Sequence, residues 1–346
     1  MMRRNFYVSL LALALSALAL VIPANAQQTR SGAQRSSAAN AGAVVPLPES
    51  DGVMFVDMRR LLTEAMPQVL AGNPTKLAEV NADIEQFKQR TGIDPRSFDR
   101  LAVGVRFTNP SADVTKIDHI VAIANGTFNP GVLAAAGRIA AKGKYQETKH
   151  GGKTVYVFNL AEQIKMFGIL KMRVGELAMS VLDANTLVVG EPAGVRAAID
   201  ANAGRGRINP EIVALARRNP NAIVGFGANM PQSLVGKVEE FGSDEVARSV
   251  ASIRQLYGSL GTSATPSGYE SLLVMKTATA DDARSLGNVV EALKPMASFA
   301  AAQLTGDKGK LVQKLAQSLK VQTEGNEVLL RLDFAQTDVA MMLRVF

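Results

Sequence analysis

The chain contains two imidazoles, His119 and His150, and no cysteine, which limits the acid–base and metal chemistry available to it. His119 lies within a predicted strand, where a histidine satisfied by its neighbours is favoured over a catalytic one. His150 opens the turn of a predicted hairpin, where solvation is expected. The two do not have the spacing of a helical H-E-x-x-H zinc motif. We therefore predict no metal site, no cofactor and no catalytic residue.

Two further patterns resemble reactive sites but have structural interpretations. Asp281 and Asp282 form a carboxylate pair at a predicted helix start, where acids stabilise the positive end of the dipole. The run Gly204–Arg207 offers guanidiniums and mobile backbone to an anion, but it lacks the preceding strand and the following Lys-Ser/Thr of a phosphate loop, so a solvated loop is favoured. No serine lies in a G-x-S-x-G elbow. A hydrolase-like site assembled only in space is the alternative that spacing leaves open.

A group of basic residues around one predicted hairpin is the best candidate for contact with an anionic partner. Side chains that alternate across two strands can place several of them on one face, where lipid headgroups or cell-wall polymer could bind. The alternative is a solvated sheet edge that is kept basic to discourage strand pairing. The residues of this hairpin are Lys142, Lys144, Lys149, His150 and Lys153.

A short apolar group follows the hairpin and is a candidate contact surface for a protein partner. It lies in the less regular stretch Ala161–Gly175. Exposed apolar patches of this kind mark interaction sites, and ordinary core packing is the alternative. The residues are Ile164, Met166, Phe167 and Leu170.

Residues 1–26 have the features of a secretory signal peptide. The start Met1–Arg4 is basic, an apolar run extends from Val8 to Ile22, and an A-x-A end places cleavage after Ala26. The alternative is a retained membrane anchor, but the apolar run is shorter than the roughly 20 residues that a spanning helix needs. Since no other segment is long and apolar enough to span, we expect export to the periplasm or the cell surface.

The segment 27–45 is rich in Ala, Ser, Gln and Gly, so burial cannot offset the entropy of ordering it and we expect a disordered linker. The folded part then divides into a first α+β unit over 46–220 and a second over 221–346. Without cysteine, these units must be stabilised by buried apolar surface instead of disulfides. The formal charge of the chain is +7, but Arg3, Arg4, Arg30 and Arg35 all precede the folded part. The small remaining excess, together with export, argues against a nucleic-acid partner.

The periodicity of the apolar residues predicts an α+β fold of two similar units. In the stretch Leu177–Ala201, two β-rich runs flank the turn Asp183–Asn185 before a helix starts at Pro192. Each half reads strand, helix, strand, strand, helix, hairpin, and the hairpin Lys144–Asn159 corresponds to Lys320–Phe334. This order predicts an internal duplication of mainly antiparallel sheets with helices packed on one face. The arrangement is the split-βαβ order of ferredoxin-like folds with an added strand.

Two segments resemble those of uncharacterised exported bacterial proteins with a duplicated α+β plan. One is LPESDGVMFVD, which opens the fold, and the other is TLVVGEPAGVRAAID, which lies near the middle. The resemblance covers roughly Pro46 to Phe334 and implies no activity. On these grounds we expect a non-catalytic exported protein with a binding or structural role at the bacterial cell envelope, with a protein or an envelope component as partner. The alternatives are the hydrolase-like enzyme and a peripheral module that binds anionic envelope polymer or lipid.

Overall fold

The computed structural model of the protein describes residues 46–345, apart from 92–93, 112–113, 141–143, 160–162, 167–169, 174–175, 231–243, 264–267 and 305. The predicted signal peptide and linker lie outside the described residues. Of the helices in the described part, none is long and apolar enough to cross a membrane.

The strands are short to medium in length and mostly join in one sheet. Their bounds are β1 (Gly52–Asp57), β2 (Phe98–Ser111), β3 (Val114–Gly126), β4 (Tyr145–His150), β5 (Lys153–Asn159), β6 (Gln163–Met166), β7 (Leu170–Arg173), β8 (Glu176–Asp183), β9 (Thr186–Gly190), β10 (Ala222–Asn229), β11 (Ile253–Thr262), β12 (Gly268–Thr277), β13 (Lys320–Glu324) and β14 (Glu327–Ala335). The large sheet has twelve strands in the order β13-β14-β12-β11-β10-β1-β2-β3-β9-β8-β5-β4, and β6 and β7 form a separate pair.

The helices connect these strands, and several of them begin at side-chain caps. Their bounds are α1 (Met66–Val69), α2 (Pro74–Thr91), α3 (Pro130–Ala140), α4 (Pro192–Asn202), α5 (Pro210–Ala216), α6 (Asp244–Ala251), α7 (Ala280–Ala302), α8 (Gly306–Ser318) and α9 (Gln336–Val345). A π-helical turn over Arg60–Ala65 precedes α1, and 3₁₀ turns occupy Leu70–Gly72 and Pro95–Ser97. At α5, for example, the Asn209 side chain accepts from the Glu211 N–H while Pro210 takes the first helical position, where no N–H is needed.

The pairing of β1 with β10 joins the two halves of the chain. Val53 lies opposite Gly227 and Val56 opposite Val224, in an antiparallel register that continues to β2 on one side and β11 on the other. Outward from this centre each half presents three antiparallel strands and then a hairpin, β9-β8 in the first half and β14-β13 in the second. The two units share one sheet.

The α+β class with a mainly antiparallel sheet is confirmed, but the ferredoxin-like strand order is not formed. In a split βαβ another strand lies between the two strands that a helix connects. Here β1 and β2 are direct antiparallel neighbours although a helical segment connects them. The hairpin correspondence also changes: β9 takes the place beside β3 that β14 takes beside β12, so Lys320–Phe334 corresponds to the β8–β9 hairpin and β4–β5 is the additional one.

Helices cover both faces of the sheet, whereas the sequence analysis predicted one covered face. Val53 and Phe55 of β1 pack in the cluster that contains α4 and α5, and we call this side the α4 face. Val56 packs on the other side, the α2 face, in the cluster that contains residues of α2, α8 and α9. On the α4 face α5 lies directly on β10, because a Cβ on Gly225 would meet the carbonyl oxygen of Ala216 at 2.1 Å. The physical reason is that successive β1 side chains, which point to opposite faces, are apolar, so both faces of the sheet must be buried by helices.

Candidate functional site

The basic hairpin forms as β4–β5 at one edge of the sheet, but its cations are divided between the two faces. His150 lies opposite Lys153, and both share the α4 face with Val155. Lys149 is exposed on the other face, opposite Thr154. Lys144 immediately precedes β4, and its carbonyl accepts from the Asn159 N–H at 3.1 Å. Lys142 lies outside the described residues.

On the α4 face the hairpin turn contacts the C-terminal end of α4. His150 Nε2 lies 3.0 Å from Oδ2 of Asp200, which belongs to that helix. The backbone of Gly151 adopts φ +52°, and an added Cβ there would meet the Ile199 side chain at 2.8 Å. Lys153 Nζ donates to the carbonyl of Leu182 at 2.6 Å. The turn therefore needs glycine both for its backbone conformation and for its close approach to α4.

The Gly204–Arg207 loop reaches the same place from the other direction. Arg205 Nη2 lies 2.5 Å from Oδ1 of Asp200, so the aspartate binds one cation through each oxygen. Arg207 Nε donates to the carbonyl of Ala201 at 2.8 Å, near the C-terminus of α4, where the helix dipole favours positive charge. We call this surface on the α4 face the basic corner, and it consists of His150, Lys153, Arg205 and Arg207.

The electrostatics of the basic corner centre on Asp200. The guanidinium of Arg205, and secondly the imidazole of His150, hold the pKa of that carboxyl below its ordinary value. The Arg205 side chain is 64% exposed and that of Asp200 is 34% exposed, so much of the cluster stays in contact with solvent. From the sequence, the hairpin was predicted as a candidate contact surface and Gly204–Arg207 as a solvated loop. Asp200 was missed, and its position four residues before Gly204 is the local signal that connects it to the loop.

His119 lies at a β-bulge, with one extra residue in β3 where it pairs with β2. Its φ is +50°, and its backbone N–H donates to Oε2 of Glu191 at 3.2 Å. The imidazole Nδ1 is 3.8 Å from the same oxygen and the side chain is 45% exposed. Since Glu191 immediately precedes α4 and its own N–H donates to Ile120, the bulge fixes the start of that helix. The contacts of His119 thus involve chiefly its backbone.

The remaining predicted site residues fall in two places. Ile164 and Met166 belong to β6 and Leu170 to β7, the strands of the separate two-stranded sheet, and Phe167 lies outside the described residues. Asp282 belongs to a capping box at the start of α7, in which its carboxylate accepts from the Thr279 N–H at 3.2 Å and the Thr279 hydroxyl accepts from the Asp282 N–H at 3.1 Å. Within the described part of the chain, no group of three or more His, Asp or Glu side chains could hold a metal ion.

Comparisons with known proteins assign no family. No protein-family model and no curated protein matches the chain. Among solved structures it is similar to crystal form I of TP0453, at 9% sequence identity and a TM-score of 0.42, over 86% of this chain and 94% of that chain. A likeness this distant defines neither a family nor a function for the chain.

The bulge generates a first prediction. Replacing His119 with valine should lower the free energy of unfolding by about 1–2 kcal/mol, because a β-branched residue strongly disfavours a positive φ. His119→Asn should stay within about 0.5 kcal/mol of the wild type, because asparagine tolerates this conformation. Urea unfolding of both variants checks this. An equal loss in both would contradict it, since it would mean that the imidazole is what matters.

The lowered pKa of Asp200 generates a second prediction. The ionised carboxylate stabilises the fold at pH values above the ordinary aspartate value of about 3.9, and this contribution is lost as the pH falls through the lowered folded-state pKa. The wild type should therefore be more stable than Asp200→Asn near neutrality, and the difference should vanish in acid. Urea titrations across this range measure it. In an Arg205→Gln background the same difference should be smaller, and an advantage that persists undiminished into acid would contradict the assignment.

Proposed function

We propose that the protein is an exported, non-catalytic binding protein of the bacterial cell envelope, with the basic corner as its contact surface for an anionic envelope component. The observation that carries the proposal is the convergence of β4–β5 and the Gly204–Arg207 loop on the end of α4, where His150 and Arg205 share Asp200. Because these cations come from separate segments, the fold itself concentrates them.

The chemistry of the basic corner suits phosphate or carboxylate groups displayed on a surface. A guanidinium binds both groups through paired N–H donors, and Arg205 keeps most of its side chain exposed. Asp200 can compensate only part of the positive charge of the basic corner. Arg207 and Lys153 contact backbone carbonyls instead of this carboxylate. A lipid headgroup or wall polymer with repeated negative charge would supply the rest.

The export part of the proposal rests on the signal-like pattern of residues 1–26 and on the cysteine-free composition, which an envelope protein with a large buried core can tolerate. The large sheet, packed with helices on both faces, supplies such a core.

One observation favours the hydrolase-like alternative. His150 and Asp200 have the geometry of a base and the acid that orients it, with 3.0 Å between Nε2 and Oδ2. A survey of ester, peptide and glycoside substrates with the purified protein tests this. We expect equal blanks for the wild type, His150→Ala and His119→Ala. Turnover that either substitution abolishes would overturn the non-catalytic proposal.

Co-sedimentation tests the binding proposal. The wild type should sediment with vesicles of anionic phospholipid or with cell-wall fragments at low salt, should dissociate as salt rises, and should ignore vesicles of neutral phospholipid. Arg205→Glu should weaken binding about tenfold or more, since each surface cation contributes on the order of 1 kcal/mol to such binding and this substitution replaces a positive charge by a negative one. Arg205→Gln should weaken it as well.

Lys310→Glu is the matched control, because Lys310 is exposed on α8 in the other half of the chain and the substitution changes the charge by the same amount. It should bind like the wild type. Binding that is unaffected by salt, or equally weakened by Lys310→Glu and Arg205→Glu, would count against the basic corner.

A further inference from the structure

The strand β13 ends the sheet on the side opposite β4. It has five residues, of which Lys320, Gln322, Thr323 and Glu324 are exposed. Among the residues that the structure describes, its only strand partner is β14. An edge of this kind presents unpaired backbone donors and acceptors to a further strand.

The turn that closes the β13–β14 hairpin determines which backbone groups point outward. Gly325, with φ +58°, and Asn326 form a two-residue turn between the opposed residues Glu324 and Glu327. Such a turn directs the backbone groups of Glu324 toward Glu327. Because bonded and non-bonded positions alternate along an antiparallel pair, the N–H and C=O groups of Thr323 and Val321 point away from β14.

The same edge carries an acid, Glu324, that lies near Arg218 but forms no direct ion pair in the described part of the chain. Glu324 lies directly opposite Glu327, and two like charges in this position destabilise a hairpin. Glu327 is compensated by Arg218, whose Nη1 lies 3.0 Å from Oε1. In the described part of the chain, no basic side chain lies within ion-pair distance of Glu324. At the other end of β13, Lys320 is 64% exposed and contacts Asp333 at 2.8 Å.

We propose that β13 pairs with β13 of a second copy across a two-fold axis at Gln322. In that register Val321 of each copy lies opposite Thr323 of the other, so the outward backbone groups meet and hydrogen-bond. Gln322 faces its own counterpart. Lys320 of each copy lies opposite Glu324 of the other, at the closely spaced non-bonded positions. The sequence Lys-Val-Gln-Thr-Glu is thus complementary to itself in charge and in hydrogen bonding, and the second copy supplies a directly paired cation for Glu324.

The strand at the opposite edge, β4, does not have the charge complementarity to a second copy that β13 has. The acid of β4 is Glu147, and it already accepts from Arg138 through Nε at 3.0 Å and Nη2 at 2.6 Å.

Pairing through β13 leaves β4, and with it the basic corner, at each distal end of the combined sheet. Opposed residues of an antiparallel pair share a face, so both α4 faces point the same way. If the proposed function holds, the dimer is bivalent toward an anionic surface.

The dimer should be of modest affinity, because a short edge strand covers less than the roughly 800 Å² per partner of a stable interface. Sedimentation velocity of the protein as isolated from the cells that make it, over a wide concentration range, should show a reversible monomer–dimer equilibrium. Glu324→Lys should weaken the dimer at least about tenfold, because two cross-strand pairs change from opposite to like charge. Lys320→Glu should act in the same direction.

Two rescue experiments make the register falsifiable. The exchanged variant with both Lys320→Glu and Glu324→Lys restores opposite charges and should dimerise like the wild type. Mixing the two single variants should give a heterodimer although each alone is monomeric. Val321→Pro removes an outward N–H and should abolish dimerisation while the monomer stays folded, since an edge strand tolerates proline there.

A protein that stays monomeric at every concentration would overturn the proposal. So would a dimer that withstands Glu324→Lys, or charge-exchanged and mixed variants that fail to associate. These outcomes are independent of the proposed function, because none of the substitutions touches the basic corner.

Discussion

The structure depends on the antiparallel pairing of β1 with β10, which lie far apart in the sequence and side by side at the centre of the sheet. Val53, Phe55 and Val56 fix the register, since a shift by one residue would exchange the side chains of the two faces. The α4 face and the α2 face then receive different helices, and the cluster on the α2 face contains residues of both halves, such as Leu62 and Leu315. The two halves therefore share one sheet and the cluster on its α2 face, and their strand orders correspond outward from the centre.

The elements that could be predicted from sequence are those whose signals are local. The turn after Asp183 forms, with the aspartate side chain accepting from the Asn185 N–H at 2.8 Å, and α4 begins at Pro192 as its period indicated. The strand order could not be obtained in this way, because a sequence of elements does not state whether a helix connects neighbouring or separated strands. One signal was available for the covered faces: Val53 to Val56 are apolar without alternation, as in strands buried on both sides.

The candidate site likewise combines features that have local sequence signals with features that only the tertiary structure determines. Basic residues around the hairpin are visible in the sequence, but alternation places Lys149 on the face away from His150. The ion pairs of Asp200 require the hairpin turn, α4 and the loop after it to be in place together, so no local sequence pattern predicts them. The positive φ of His119 is likewise a product of the tertiary structure, because the bulge is imposed by the pairing of β3 with β2 and by the start of α4. Where several segments must meet, the sequence shows which residues are candidates but not which of them come into contact.

Hydrogen exchange monitored by mass spectrometry, at increasing urea concentrations, tests the central pairing most directly. If β1 and β10 unite the halves, the backbone amides of β1, β2, β10 and β11 should be among the best protected and should lose protection in one cooperative step with a shared free energy. Strands of the second half that keep their protection after β1 and β2 have exchanged would contradict this. That result would mean that the two halves are separate units that only touch.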